Sequence, residues 1–464
     1  MNLVNTDTIV ALATPQGIGA IGVIRLSGEK AIDICNTVFR TKSLKKKDLQ
    51  NQASHTIHFG VIQHNDVIID EVLLSLFKTP HSYTSENTVE ISCHGSKFIQ
   101  QQIIQLLIKQ GARMANQGEF TLRAFLNGKL DLSQAEAVAD LIASNSASSH
   151  RVAMQQMRGG FSGKIKLLRQ NLIDFASLIE LELDFSEEDV EFADRTEFKK
   201  LVISVQLIIQ QLIDSFEVGN VIKNGIPIAI VGKPNAGKST LLNVLLEEDR
   251  AIVSEIPGTT RDVIEDELNI GGILFRIIDT AGIRETTDVI ESMGVKKTYE
   301  QISLASITLY LFDAHEINPS ELKIIVEKLQ SYLHNSQLVL VANKIDKEKI
   351  EDLKNEFKEF PGLLFISAKE HTHIDELKKH MVTLFDNSTV SNIETIVTNA
   401  RHVEALHHTK GSLIKVLEGL NQNVTGDFLA MDIRQALYYL GTITGEISSD
   451  DLLTNIFSRF CIGK

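Results

Sequence analysis

The segment Gly232-Lys233-Pro234-Asn235-Ala236-Gly237-Lys238-Ser239 constrains the fold more than any other, because it follows the continuous apolar run Ile226 to Val231 and precedes a helical pattern. Such a run is the sequence form of a buried parallel strand, and GxxxxGK[ST] between a strand and a helix is a phosphate-binding loop. Its glycines let backbone N–H groups turn inward at a helix N-terminus, Lys238 reaches the outer phosphates, and the Ser239 hydroxyl suits Mg²⁺. Asn235, Ala236, Gly237 and Thr240 complete the contacts expected of this loop.

Strand and helix signals then alternate. Ile273 to Ile278, Ile307 to Phe312, Leu338 to Ala342 and Leu363 to Ile366 read as buried strands, separated by helical stretches near Val295, Glu321, Lys354 and Glu376. This is the pattern of a doubly wound, Ras-like α/β domain. Asp279-Thr280-Ala281-Gly282 ends one strand and places a carboxylate where it holds the metal's water shell. Asn343-Lys344-Ile345-Asp346 ends another and selects the base. The Asp346 carboxylate accepts both N1–H and the N2 amine of guanine, whereas adenine offers a lone pair at N1 and would leave a buried charge unpaired. Ser367-Ala368-Lys369 suits backbone contacts to guanine O6.

Between the phosphate loop and Asp279, the stretch Ser254, Glu255, Ile256, Pro257, Gly258, Thr259 and Thr260, followed by Arg261 and Asp262, supplies the switch. Thr260 is its γ-phosphate and Mg²⁺ sensor. Small GTPases place a Gln after the DxxG glycine to orient the attacking water, but Ile283 stands here. Glu291 is the candidate for that task and Glu285 its competitor, while no arginine finger is identifiable.

A chain of 464 residues exceeds one core, and about three domains are expected. Up to Gly118, short β-rich runs (Thr8 to Ala13, Ile21 to Leu26, Val67 to Phe77, Thr88 to Cys93) mix with helices near Lys30 and Ile99, as in a small α+β domain. From Glu119 to Phe216 the spacing is helical, with Ser133 and Glu136 as a capping box, and helices return at Ala400 to Leu420 and Phe428 to Leu440. The expected domains are therefore 1–118, a helical domain in two parts, 119–224 and 386–464, and an α/β domain, 225–385, inserted between them.

A net charge of −14 argues against non-specific coating of nucleic acid, although Lys45 to Lys47, or Arg151, Arg158, Lys164, Lys166 and Arg169, could form a local basic surface. Uninterrupted apolar runs are far shorter than a membrane span and there is no basic leader, so no membrane association and a cytoplasmic setting are expected. Three separated cysteines, Cys35, Cys93 and Cys461, indicate neither a disulfide framework nor a thiolate zinc site. The helically spaced His402, Glu404, His407 and His408 read as solvated helix residues rather than a metal site.

Motifs outside the nucleotide domain are more specific: Thr8-Ile9-Val10-Ala11 leading to Thr14-Pro15, Ile24-Arg25-Leu26-Ser27-Gly28, Ser82-Tyr83-Thr84, Gly118-Glu119-Phe120, the run Arg123 to Leu132, and the terminal Phe460-Cys461-Ile462-Gly463-Lys464. With these the chain resembles, along essentially its whole length, the MnmE/TrmE family of tRNA modification GTPases. The resemblance implies an N-terminal folate-binding domain that also dimerises, and a helical domain split by the G domain. It further implies a homodimer, a heterotetramer with an FAD-dependent MnmG/GidA-type partner, and installation of a carboxymethylaminomethyl-type group at C5 of the tRNA wobble uridine. Arg25, Glu90, Lys129 and Lys464 match positions that contact a 5-formyl- or methylene-tetrahydrofolate. Asn235, Ser254, Ile256 and Thr259 match ligands of a K⁺ that replaces the arginine finger in G-domain dimers, and Glu291 matches the water-positioning Glu. Cys461 is a candidate nucleophile or folate-site residue. The competing reading is a regulatory or ribosome-assembly GTPase switch without modification chemistry, which shares the nucleotide domain but not the first 130 residues or the terminal motif.

Overall fold

The structure, a computed structural model, describes residues 7–184, 195–249, 266–278, 302–333, 336–347, 349–384, 395–422, 424–458 and 460–464. The chain forms two compact units, one of residues 1–139, 156–202 and 411–464, the other of residues 140–155 and 203–410.

The first unit holds strands β1 (Ile9–Leu12), β2 (Ile21–Ser27), β3 (Phe39–Thr41), β4 (Thr56–His64), β5 (Val67–Phe77), β6 (Thr88–His94) and β7 (Arg113–Met114). They form one sheet in the order β3-β4-β5-β6-β2-β1-β7, in which β1 and β7 run parallel and the other pairs antiparallel. Alternation along each strand divides the faces. Ile24 and Leu26 of β2, Leu74 and Leu76 of β5, and Val89 and Ile91 of β6 are fully buried under helices α1 (Ala31–Val38) and α2 (Lys97–Lys109). Arg25 and Glu90 alternate with these residues and so belong to the opposite face. Strands β3 and β4 were not expected from the sequence, since Thr56–His64 carries two histidines and a glycine among its apolar residues.

Further along lie α3 (Glu119–Leu126), α4 (Leu132–Ala143), α5 (Ala147–Met157), α6 (Gly160–Asp184) and α7 (Arg195–Asn224). The cap of α4 differs from the expected Ser133 and Glu136. Asp131 Oδ1 accepts from the Gln134 amide at 3.0 Å and Gln134 Oε1 accepts from the Asp131 amide at 3.0 Å, so the reciprocal box lies earlier in the chain. Ser133 is inside the helix and donates to Asp131 Oδ1. The carboxylate is the stronger acceptor and takes the cap position.

By length and composition α7 could cross a membrane, although polar residues interrupt its apolar run. Phe198, Val202, Val205, Ile209 and Leu212 are buried, whereas Ile203 and Leu207 are exposed. Spacings of three and four along one buried stripe are those of a helix packed on protein.

The second unit contains β8 (Ile226–Val231), α8 (Lys238–Asp249), β9 (Asp266–Ile270), β10 (Ile273–Ile277), β11 (Ile307–Asp313), α9 (Pro319–Gln330), β12 (Gln337–Asn343), α10 (Ile350–Glu356), β13 (Leu364–Phe365) and α11 (Ile374–Leu384). The sheet order is β13-β12-β11-β8-β10-β9, and only β9 runs antiparallel to its neighbour. All seven residues of β11 are buried, as a strand covered on both faces requires. Asn318 caps α9 by accepting from the Glu321 amide, with Pro319 opening the helix. The helical stretch expected near Val295 lies outside the described residues. Helices α12 (Ala400–Asn421), α13 (Gly426–Thr444) and α14 (Asp450–Phe457) complete the chain.

In the first unit a charged network stands in place of apolar packing. Arg123, with a side chain 7% exposed, donates to Asp7 at 2.7 Å and to Glu119 at 2.9 Å, and Arg113 donates to the same two carboxylates, each at 2.6 Å. The Arg113 bond holds the Asp7 carboxyl below its ordinary range. For Glu119, burial raises the pKa, but the Arg113, Asn116 and Arg123 bonds outweigh it. Arg123→Ala leaves Asp7 and the buried Glu119 with Arg113 as their remaining arginine and is expected to cost about 3 kcal/mol in urea unfolding. Because both folded pKa values are depressed, the network stabilises fully above the ordinary carboxylate pKa. That stability is lost as pH falls through the depressed values, so the wild-type chain should lose more stability than the Arg123→Ala variant on acidification.

Candidate functional site

In the second unit the phosphate-binding loop leaves the C-terminal end of β8 at the centre of the sheet and runs into the first turn of α8, which begins at Lys238. Ligands of open α/β sheets bind at such strand ends. Gly237, at φ +99°, and Asn235, at φ +63°, bend the loop with left-handed backbone. A Cβ on Gly237 would stand 2.2 Å from Asn343 Nδ2, so conformation and close packing both require glycine there. The Lys238 ammonium donates to the carbonyls of Gly232 at 2.8 Å and Lys233 at 2.9 Å, and burial lowers its pKa. Ser239 follows it in the first turn of α8, Asn235 is exposed, and Thr240 lies one position further along the helix.

Asn343 closes β12, and its side chain joins two loops. Its Nδ2 donates to the Ala236 carbonyl at 2.8 Å and its Oδ1 accepts from the Ala368 amide at 3.0 Å. The phosphate loop and the Ser367-Ala368-Lys369 loop are thereby held to one strand end. Asp346 Oδ1 accepts from the Ser367 hydroxyl at 2.6 Å, which orients the carboxylate. Lys344, at φ +67°, pairs with the buried Asp313 at 2.8 Å. Asp313 was not singled out in the sequence, although a lone Asp ending a largely apolar strand was the available signal. Lys369 is exposed and lies 3.5 Å from Glu370.

Of the sequence candidates, Ser254, Glu255, Ile256, Pro257, Gly258, Thr259, Thr260, Asp279, Thr280, Ala281, Gly282 and Glu291, together with Arg261, Asp262, Ile283 and Glu285, lie outside the described residues. The described part of the site is thus residues 232–240, 343–346 and 367–369.

A second polar cluster lies on the first unit. Arg25 and Glu90 are cross-strand partners on β2 and β6, with the guanidinium 2.8 Å from the carboxylate. The same guanidinium lies 5.4 Å from the Tyr83 ring centroid and 5.7 Å from that of Phe120. The C-terminal motif reaches this cluster. Ile462 bridges to Gln117, the Gly118 amide donates to the Cys461 carbonyl, and a Cβ on Gly463 would stand 2.2 Å from the Leu12 carbonyl. Burial and the Arg25 charge depress the Lys464 pKa, while Cys461 and Glu90 act in the opposite sense. Lys464 thus lies within electrostatic reach of Arg25, Glu90 and Cys461, and Cys461 is exposed. Lys129 is exposed on the turn after α3, and among the described residues no hydrogen bond or ion pair joins it to Arg25, Glu90 or Lys464. Tyr83 and Phe120 were noted in the sequence only as motif members, because their stacking on Arg25 depends on tertiary contact.

Elsewhere, Lys47 bonds His58, Lys166 pairs with Asp131 and Arg169 with Glu446, so part of the expected basic surface is engaged internally. No group of three or more His, Cys, Asp or Glu residues able to hold a metal ion occurs among the described residues.

Comparison with known proteins matches residues 8–129 to the family model of the GTP-binding protein TrmE N-terminus and residues 132–461 to that of the MnmE helical domain. The tRNA modification GTPase MnmE of Flavobacterium psychrophilum is 57% identical over 460 residues, covering 99% of each chain. That of Bacteroides thetaiotaomicron is 54% identical over 467 residues, covering 99% of this chain and 100% of its own. Among solved structures, an Era variant from Aquifex aeolicus bound to GDP.AlF4- is 29% identical, covers 40% of this chain and 66% of its own, and has a TM-score of 0.26.

Asn343→Ala removes the partner of two buried backbone groups. A loss of about 2 kcal/mol, or about 30-fold in affinity for GTP, is expected in calorimetric titration, with the melting temperature of the free protein lowered by only a few degrees.

Proposed function

Because the chain belongs to the MnmE family of tRNA modification GTPases, we propose that it binds and hydrolyses GTP and couples this to modification of tRNA in the cytoplasm. The finer reading is that a homodimer joins an FAD-dependent MnmG/GidA-type protein in a heterotetramer and installs a carboxymethylaminomethyl-type group at C5 of the wobble uridine. The observation that carries the GTP reading is the Asn343 bond pair, which joins the phosphate loop and the Ser367-Ala368-Lys369 loop at one sheet end. The proposed domains are 1–118, 119–224 with 386–464, and 225–385.

In this reading Lys238 exchanges its two carbonyl partners for β- and γ-phosphate oxygens, and Asp346, oriented by Ser367, accepts the N1–H and N2 amine of guanine. Ser239 and Thr260 would hold Mg²⁺. Asn235, Ser254, Ile256 and Thr259 would hold K⁺, which supplies positive charge to the transition state. Supporting this donor set, Asn235 is exposed on left-handed backbone and carries an amide oxygen of the kind K⁺ takes. Glu291 would position the attacking water.

The cluster on the first unit fits a reduced folate, with Arg25 and Lys464 for carboxylates, Glu90 for ring N–H groups, and Lys129 at the edge. The folate would supply a one-carbon unit to the uridine site. An apolar stripe on the same sheet face supports the homodimer: Ile57, Phe59 and Leu73 are 67%, 50% and 46% exposed, and Phe59 and Leu73 are cross-strand partners. The terminal motif, seated beside Arg25, favours modification chemistry over a bare ribosome-assembly switch.

Nucleoside mass spectrometry of tRNA from cells lacking this protein should show loss of the wobble modification; unchanged tRNA would leave only the switch reading. Turnover of GTP should be at least about tenfold faster in potassium than in sodium buffer, and equal rates would remove the K⁺ assignment.

A further inference from the structure

The hairpin β9–β10 connects the two parts of the nucleotide domain that hold its switch motifs in sequence. The chain enters β9 after Thr260 and leaves β10 just before Asp279. Against this hairpin packs the stretch Ser144–Ser149 between α4 and α5. Asn145 Nδ2 donates to Glu267 Oε2 at 3.1 Å, and Asn269 Nδ2 donates back to the Asn145 carbonyl at 3.0 Å. At the hairpin tip the Ser148 hydroxyl donates to the Gly272 carbonyl at 3.0 Å, and the Ser148 amide reaches the same oxygen at 3.4 Å. Gly271 and Gly272, at φ +61° and +80°, form the two-residue turn that presents it.

Three features make this more than incidental contact. Glu267 is only 6% exposed, so its carboxylate depends on its hydrogen bonds. Asn145 bonds Glu267 and Asn269, on either side of Leu268 in β9, through side chain and carbonyl, which resists both sliding and tilting of the strand. Beside the latch lies a cavity of about 410 Å³, lined by Asp140, Asn145, Val152, Lys223, Glu267 and Leu274, so this side of the hairpin is not closed by continuous packing. The Asp140–Lys223 pair, at 2.7 Å, forms part of that wall.

We propose that Asn145 is a positioning residue for GTP turnover: through Glu267 and Asn269 it sets the placement of the β9–β10 hairpin, whose β10 pairs with β8, the strand that carries the phosphate loop. The stretch 140–155 thereby senses and constrains the nucleotide cycle. This rests on the GTPase reading above.

The test uses the full chain with a fluorescent GTP analogue for affinity, phosphate release for turnover, and circular dichroism for folding. Asn145→Asp sets a second carboxylate against Glu267 and should lower kcat about tenfold while Kd for the nucleotide changes less than about threefold. Glu267→Gln alone keeps an acceptor and should stay near wild type. The double variant Asn145→Asp with Glu267→Gln restores the bond with donor and acceptor exchanged, and should recover most of the lost kcat. An undiminished kcat in Asn145→Asp, or a double variant no faster than the single, overturns the proposal. Should Asn145→Asp fail to fold, Asn269→Ala, which removes the second bond, must show the same kcat-selective loss or the proposal falls. A wild-type chain that binds no GTP would instead sink the GTPase reading itself, and this proposal with it.

Discussion

Asn343 occupies the end of β12, almost wholly buried, where one amide side chain satisfies a carbonyl of the phosphate loop and an N–H of the loop after β13. Neither loop belongs to a helix or a sheet strand, and a buried backbone group without a partner would cost as much as the bond contributes. Their placement therefore follows from the strand that carries Asn343, and that strand is fixed by continuous pairing with β11 along seven residues. The glycine at 237 is a consequence of the same contact, since a side chain there would occupy the space of the Asn343 amide. A rigid, two-sided apolar sheet is thus converted into a precise polar site at its edge.

The first unit uses a different device for the same purpose. Its sheet is covered by helices on one face, which leaves alternate residues of β2 and β6 to form a polar row on the other. Arg25 and Glu90 meet there because their strands are in register. The chain's last residues are drawn to them through close backbone approach at Gly463 and the bridge between Ile462 and Gln117. Residues separated by more than 400 positions in sequence become neighbours, and Lys464 titrates in the field of Arg25.

Much of this was legible in the sequence where a local rule sufficed. Continuous apolar runs located β8, β10, β11 and β12, and the glycine-lysine spacing placed the phosphate loop between strand and helix. Strand β9 was not legible, because Asp266-Glu267-Leu268-Asn269-Ile270 has the polarity of a surface turn, yet Asp266 and Glu267 are buried. Their burial depends on partners distant in sequence. The cap of α4 was misplaced for a related reason: Ser133 and Asp131 both fit cap chemistry, and the actual hydrogen bonds decided between them.

The sequence by itself determined most of the elements, the phosphate-loop motif and the family, because periodicity, motif spacing and residue type are properties of consecutive residues. Only the tertiary structure decided that Asn343 ties two loops together, that Tyr83 and Phe120 flank Arg25, and that residues 140–155 join the compact unit of the nucleotide site rather than that of the following helix. Each of these is a contact between segments far apart along the chain, and its free energy depends on burial and geometry that no local window of sequence contains.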